Sequence, residues 1–162
     1  MRRLVAAAAV LLVSTGGMFG QMGDLNAAAQ KPKQYVSYAA EEQTVTAGKR
    51  GELELHFHVL EGYHVNSHSP RSVLLIPTAV RLQPAAGVKA QTAEYPRGTV
   101  FSFNFSPADK LDVYAGDFTV KLPVIATAGK HQLDGTLRYQ ACNNRMCFAP
   151  KNVPVNVTVS VE

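Results

Sequence analysis

The chain has no tryptophan, only 7 phenylalanines and 6 tyrosines, only two cysteines, and one long apolar run, which lies at its start. Two is the smallest number of cysteines that can pair, so any disulfide chemistry is confined to one place. Apolar residues still make up 46% of the 162, enough to bury a core without metal or disulfide staples, and the length suits one domain. Charged residues are sparse at 17%, and the net charge of +4 is spread as single or paired lysines and arginines. No basic stripe interleaved with aromatics is present, which argues against nucleic acid as a partner. No helical period and no internal repeat emerge. Ser-His-Asp order, a glycine-rich phosphate loop and paired catalytic carboxylates are also missing, so nothing points to a hydrolase or to a small-molecule substrate. What is plentiful is valine and threonine, residues that fit a pleated, half-buried surface.

Arg2 and Arg3 precede an apolar run from Leu4 to Val13, followed by small, flexible residues from Ser14 to Gly17. This is the pattern of a secretory signal peptide. The run is about half of the roughly 20 residues that a membrane-spanning helix needs, so a soluble, periplasmic or otherwise extracytoplasmic protein is expected after cleavage. Ala27, Ala28 and Ala29 offer the small-x-small pattern of a cleavage site, with an uncleaved, anchored form as the alternative. The expected organisation is a signal peptide over 1–29, a tether over 30–34 and one domain over 35–162. In an oxidising compartment a close pair of cysteines is normally found as a disulfide.

From Glu52 to Leu60 the sequence ELELHFHVL alternates, placing Leu53, Leu55, Phe57 and Val59 on one face and Glu52, Glu54, His56 and His58 on the other. The closing segment VPVNVTVSV, from Val153 to Val161, alternates as strongly. Between them, strands are expected at 78–83, 88–94, 99–105, 111–114, 118–126 and 133–141, with Pro123 marking an edge or bulge. Tyr95-Pro96-Arg97-Gly98 reads as a turn and 106–110 as a loop. About eight short strands at this spacing predict an all-β, immunoglobulin-like two-sheet β-sandwich.

The cysteines stand in LRYQACNNRMCFAPK, with four residues between Cys142 and Cys147. Asn143-Asn144 is a good turn starter, because asparagine tolerates positive φ and bonds its own backbone. The pair can therefore face each other across a hairpin, where opposed Cα atoms are roughly 4.5 to 5.5 Å apart and a disulfide fits. So short a loop removes little unfolded-chain entropy, about 2 kcal/mol. A bridge of that kind can open and reclose while the sandwich stays folded, and Arg145 inside the loop supplies charge that favours a thiolate. Spacing alone leaves an exchangeable pair and an inert bridge both open. His56, His58, His64 and His68, with Met146, raise a third reading as a metal-binding accessory protein, though no full ligand set is fixed and no metal is expected.

The segment YQACNNRMCFAPKNVPVNV, with GYHVNSHSP and AEYPRG upstream, resembles the N-terminal periplasmic domain of the DsbD thiol:disulfide interchange proteins and their stand-alone exported relatives. The resemblance runs from about residue 35 to the end and is most specific at Tyr139-Gln140-x-Cys142 and the following Cys147. It implies an immunoglobulin-like domain, without a cofactor, whose Cys142 and Cys147 act as an electron-transfer component of thiol:disulfide oxidoreductases, with Cys142 favoured as the sulfur that bonds a partner. It also implies thioredoxin-like periplasmic partners and a link to cytochrome c biogenesis. Since neither a membrane conductor nor a thioredoxin module is read in this sequence, a membrane electron donor on a separate chain is expected. Tyr95, next to Glu94, matches the loop that caps the disulfide in the family. Tyr63, His64 and Asn66 match an aromatic-rich stretch near the pair. The rival reading is a non-catalytic exported binding sandwich with a structural disulfide.

Overall fold

Strict alternation buries one face of a strand and wets the other, and Arg50–Val59 (β3) behaves this way. Leu53, Leu55, Phe57 and Val59 are buried, while Glu52, Glu54 and His58 face solvent. The structure, a computed structural model, describes residues 33–103 and 106–162. The expected signal peptide and residues 30–32 of the expected tether lie outside the described residues. Among the described residues there is no helix, and none is long and apolar enough to cross a membrane.

The other strands are Val36–Ala39 (β1), Glu42–Val45 (β2), His64–Asn66 (β4), Ala79–Leu82 (β5), Val88–Ala90 (β6) and Thr99–Phe103 (β7). Then come Ser106–Tyr114 (β8), Asp117–Ala126 (β9), Gly129–Tyr139 (β10), Ala141–Cys142 (β11) and Lys151–Val161 (β12). They form an all-β, immunoglobulin-like sandwich in which one sheet runs β1-β3-β9-β6 and another β2-β12-β10-β5. A smaller sheet, β11-β4-β8-β7, carries the first cysteine. All pairings are antiparallel except β2 on β12. The inward faces of β3, β9, β10 and β12 share one buried cluster, including Leu53, Leu55, Leu122, Leu133, Leu137 and Val157. Each such side chain contributes about 1.5 to 3 kcal/mol on burial.

One local expectation is corrected and another is met. Residues 106–110 extend β8 and do not form a loop; Ser106 lies opposite Phe103 of β7, and the segment is exposed enough to carry no apolar face. Pro123 sits in β9, between β3 and β6, and marks a bulge as expected: the partner segment takes three residues from Gln91 to Glu94 against two from Pro123 to Lys121. It is tolerated because its missing N–H coincides with the end of β6: Gln91 N–H donates to the Pro123 carbonyl at 2.8 Å, no bond can be returned, and the ladder resumes at Glu94 and Lys121.

Candidate functional site

The ladder between β10 and β12 runs out at Tyr139 opposite Lys151, and the intervening residues project as a small hairpin. Within it Cys142 and Cys147 are joined by a disulfide, with their Cα atoms 3.9 Å apart. The hairpin is also closed by its backbone. Asn143 N–H donates to the Met146 carbonyl at 2.9 Å, and Phe148 N–H donates to the Ala141 carbonyl at 2.8 Å, one bond on each side of the disulfide. The Asn143 side-chain oxygen accepts from the N–H groups of Arg145 at 2.8 Å and Met146 at 2.9 Å, which is the turn chemistry expected of asparagine. The two sulfurs differ in access, because Cys142 is 0% exposed whereas Cys147 is half-buried in the outer limb.

Register sets what surrounds Cys142. It lies directly opposite His64, as Ala141 lies opposite Val65, and β8 places Tyr114 opposite Val65 and Val113 opposite Asn66. Side chains alternate across a strand, so Ala141, Val65 and Tyr114 turn into the main core cluster. Cys142, His64, Asn66 and Val113 share the other face of the small sheet. His64 is 4% exposed there, with its ring centroid 4.0 Å from that of Phe101 and 6.1 Å from that of Phe103. Its Nε2 is buried without a hydrogen-bond partner among the described residues. Burial holds its ionisation below the usual histidine range. A buried polar atom left unpaired costs about 1 to 3 kcal/mol.

Asn66 acts as a clasp. Its amide donates to the Ile76 carbonyl at 3.0 Å and to the Gln140 side-chain oxygen at 3.1 Å, and Gln140 in turn donates to the Phe148 carbonyl at 3.2 Å. The segment before β5 and both limbs of the cysteine hairpin are thereby tied together. Tyr63 packs on Tyr35 and Phe148, with ring centroids 4.7 and 6.0 Å away, and Tyr35 stacks on Phe148 at 4.9 Å. Lys33 donates to the Tyr63 hydroxyl at 2.9 Å. The Tyr139 hydroxyl accepts from the Tyr35 N–H at 3.1 Å and donates to Gln34 at 2.8 Å, while burial raises its pKa and keeps it neutral. These rings support the limb that follows Cys147. Arg145 is exposed at the tip, and its side chain makes no ion pair among the described residues.

Among the described residues, Tyr95 and Glu94 make their contacts with residues other than the cysteines. The Tyr95 ring lies 3.7 Å from His68 and parallel to it, and its hydroxyl accepts the Val80 N–H at 2.8 Å. It lines a cavity of about 450 Å³ with Ser67, Arg71, Arg97 and Asp112. Glu94 exchanges two backbone bonds with Lys121 and pairs with Arg50 at 3.7 Å. On the face that His64 shares with Cys142, the rings of Phe101 and Phe103 of β7 pack on His64. Sequence reasoning missed them, although the alternation in TVFSFNF sets both on one face. The histidines stay apart in their contacts: His56 bonds Thr119, His58 bonds Asp117, His64 packs on Phe101 and His68 on Tyr95.

A family model described as "Thiol:disulfide interchange protein DsbD, N-terminal" matches residues 31–158. No curated protein matches the sequence. Among solved structures, the N-terminal periplasmic domain of ScsB from Proteus mirabilis is similar at a TM-score of 0.50 and 13% identity, over 75% of this chain and 43% of that one. This chain thus spans less than half of that structure. The reduced DsbD N-terminal domain of Neisseria meningitidis is similar at a TM-score of 0.43 and 18% identity, over 65% of this chain and 74% of that one. A complex between the DsbD and PilB N-terminal domains of the same organism gives 0.43 and 17%, over 65% and 73%.

Proposed function

This chain belongs to the family of the N-terminal domain of the thiol:disulfide interchange protein DsbD, and from that membership we propose that Cys142 and Cys147 cycle between disulfide and dithiol to relay reducing equivalents between partner proteins. The observation that carries this reading is a disulfide enclosed in a hairpin that its own backbone closes on both sides. Opening the bridge leaves those bonds and the β10–β12 ladder in place, and a loop this short makes the bridge worth only about 2 kcal/mol to the fold.

Access favours Cys147 as the sulfur that meets a partner, whereas the family pattern in the sequence favours Cys142. Cys142 is enclosed on the small sheet, and Cys147 lies in the partly exposed limb beside exposed Met146 and Arg145. In the reduced protein the Cys147 thiolate attacks a partner disulfide and forms a mixed disulfide. Cys142 then attacks Sγ of Cys147, re-forming the internal bond and releasing the partner as a thiolate. The reverse sequence reduces this pair. Thioredoxin-like extracytoplasmic proteins and a membrane electron donor on a separate chain are the proposed partners, and export by a signal peptide over 1–29 puts the domain in their compartment.

The test is trapping in extracytoplasmic extract with single variants. Cys142→Ala, which lacks the resolving sulfur, accumulates mixed disulfides, and Cys147→Ala does not. Equilibration with glutathione gives a potential above about −300 mV, the level below which structural bridges sit. Absence of mixed disulfides from both variants, or a potential well below that level, overturns the reading.

A further inference from the structure

Cys142 has two properties that a resolving cysteine must overcome. It is 0% exposed, and the residue directly opposite it on β4 is a histidine whose positive form burial disfavours. Burial disfavours a thiolate, yet the thiolate is the attacking species. A nearby group that takes the thiol proton at the moment of attack would remove this obstacle.

His64 is the group so placed. It is directly opposite Cys142 in the antiparallel pairing of β4 and β11, and the two side chains share one face. Directly opposed Cβ atoms lie about 4.5 to 5.5 Å apart, a span that an imidazole and a thiol bridge with a hydrogen bond. The Nε2 atom is buried and unpaired while the sulfur is held in the disulfide and has no proton to offer. Phe101 and Phe103 pack on the ring from β7, and neither can serve as its polar partner.

We propose that His64 is the proton acceptor for Cys142, taking its thiol proton as the sulfur attacks the mixed disulfide on Cys147. The proposal rests on the exchange reading above. In the forward step the S–H bond of Cys142 breaks and its proton passes to the imidazole. The thiolate electron pair forms the Cys142–Cys147 bond, and the bond between Cys147 and the partner sulfur breaks, leaving the pair on the partner thiolate. The imidazolium then returns its proton to solvent. The dithiol is oxidised by two electrons and the partner disulfide is reduced by two. Burial is the cause that lowers the ionisation of His64, so the ring is neutral and ready to accept near neutral pH. No charged side chain from β7, β8 or β11 contributes to that shift among the described residues.

The full chain carrying Cys147→Ala leaves Cys142 as the single thiol. Its ionisation is followed by ultraviolet thiolate absorbance, with and without His64→Phe, which keeps a ring on Phe101. The midpoint rises by about one pH unit or more in the phenylalanine variant, roughly a tenfold loss of thiolate near neutral pH. A second measurement leaves His64 in place: its imidazole resonances are titrated in Cys147→Ala and in Cys142→Ala/Cys147→Ala. Coupled groups titrate as a pair, so the midpoint moves when Cys142 is removed. Coincident curves in the second experiment overturn the proposal even if His64→Phe fails to fold. Mixed-disulfide trapping by Cys142→Ala separates the two ideas. A trapped partner with unchanged titrations sinks the role of His64 alone, and coupled titrations with no trapped partner uphold the pairing of His64 with Cys142 while sinking the exchange reading.

Discussion

Two side chains near the disulfide carry single-residue consequences. Asn143 accepts two backbone N–H groups and holds the turn in the shape that brings Cys142 and Cys147 together. Replacing it by alanine removes about 1 kcal/mol of turn bonding, and the loss falls more on the closed disulfide, which requires the tight turn, than on the dithiol, whose backbone bonds hold the hairpin with a looser tip. Asn143→Ala should therefore raise the reduction potential by about 20 to 30 mV, measured by equilibration with glutathione, with little change in the thermal midpoint of the reduced protein. Tyr139 should behave in the opposite way. Its hydroxyl is the partner of the Tyr35 N–H and of Gln34 inside the domain. Tyr139→Phe strands the buried N–H and should lower stability by about 1 to 3 kcal/mol in urea unfolding, while the potential of the cysteine pair stays where it was.

Among the elements, β5 is one whose seating depends on a glycine. A Cβ on Gly135 of β10 would lie 2.5 Å from the Arg81 carbonyl oxygen and 2.8 Å from a Leu82 methyl group, and backbone cannot give way as a side-chain tip can. Gly135→Ala should push β5 off β10 at a cost of about 1 to 3 kcal/mol. Because Val80 in β5 also bonds the Tyr95 hydroxyl, the amides of 79–82 should lose hydrogen-exchange protection together, while those of β12 keep theirs. The elements differ in how plainly the sequence announces them. β3 and β12 were legible because each buries one face completely, so period-two alternation is undiluted. The first half of β8 was not, since Ser106 to Lys110 lie on an exposed hairpin with no apolar face to mark the period. β4 and β11 are too short to carry any period, and they are what bring His64 to Cys142. The cysteine hairpin itself was legible from turn chemistry at Asn143. The rings on His64 were not, because Phe101 and Phe103 reach it only through the pairing of β4, β8 and β7.

At the scale of the whole molecule, the main core and the face carrying Cys142 are separate. Neither Cys142 nor His64 belongs to the buried cluster shared by β3, β9, β10 and β12. The stability of the oxidised protein should therefore register His64 as a discrete contribution with a definite pH window. Its ionisation lies below the ordinary histidine value of 6.5 in the folded chain because burial disfavours the charged ring. As pH falls below 6.5 the unfolded chain binds a proton that the folded chain refuses, so stability is intact above that value and declines toward the lowered folded value. The slope is at most about 1.4 kcal/mol per pH unit for one proton. Glu42 acts in a lower window. Its pKa is lowered by the Ser160 hydroxyl and by Lys130, which favour the carboxylate, so its favourable contribution is present above the ordinary 4.5 and disappears only as pH drops further. The remaining histidines are common to any pair of proteins that differ only at position 64. Urea unfolding of the oxidised protein and of oxidised His64→Phe at pH 7 and pH 5 should thus show a larger acid loss in the histidine form. Equal losses would mean that burial does not hold the ionisation of His64 below the ordinary histidine value in the oxidised protein.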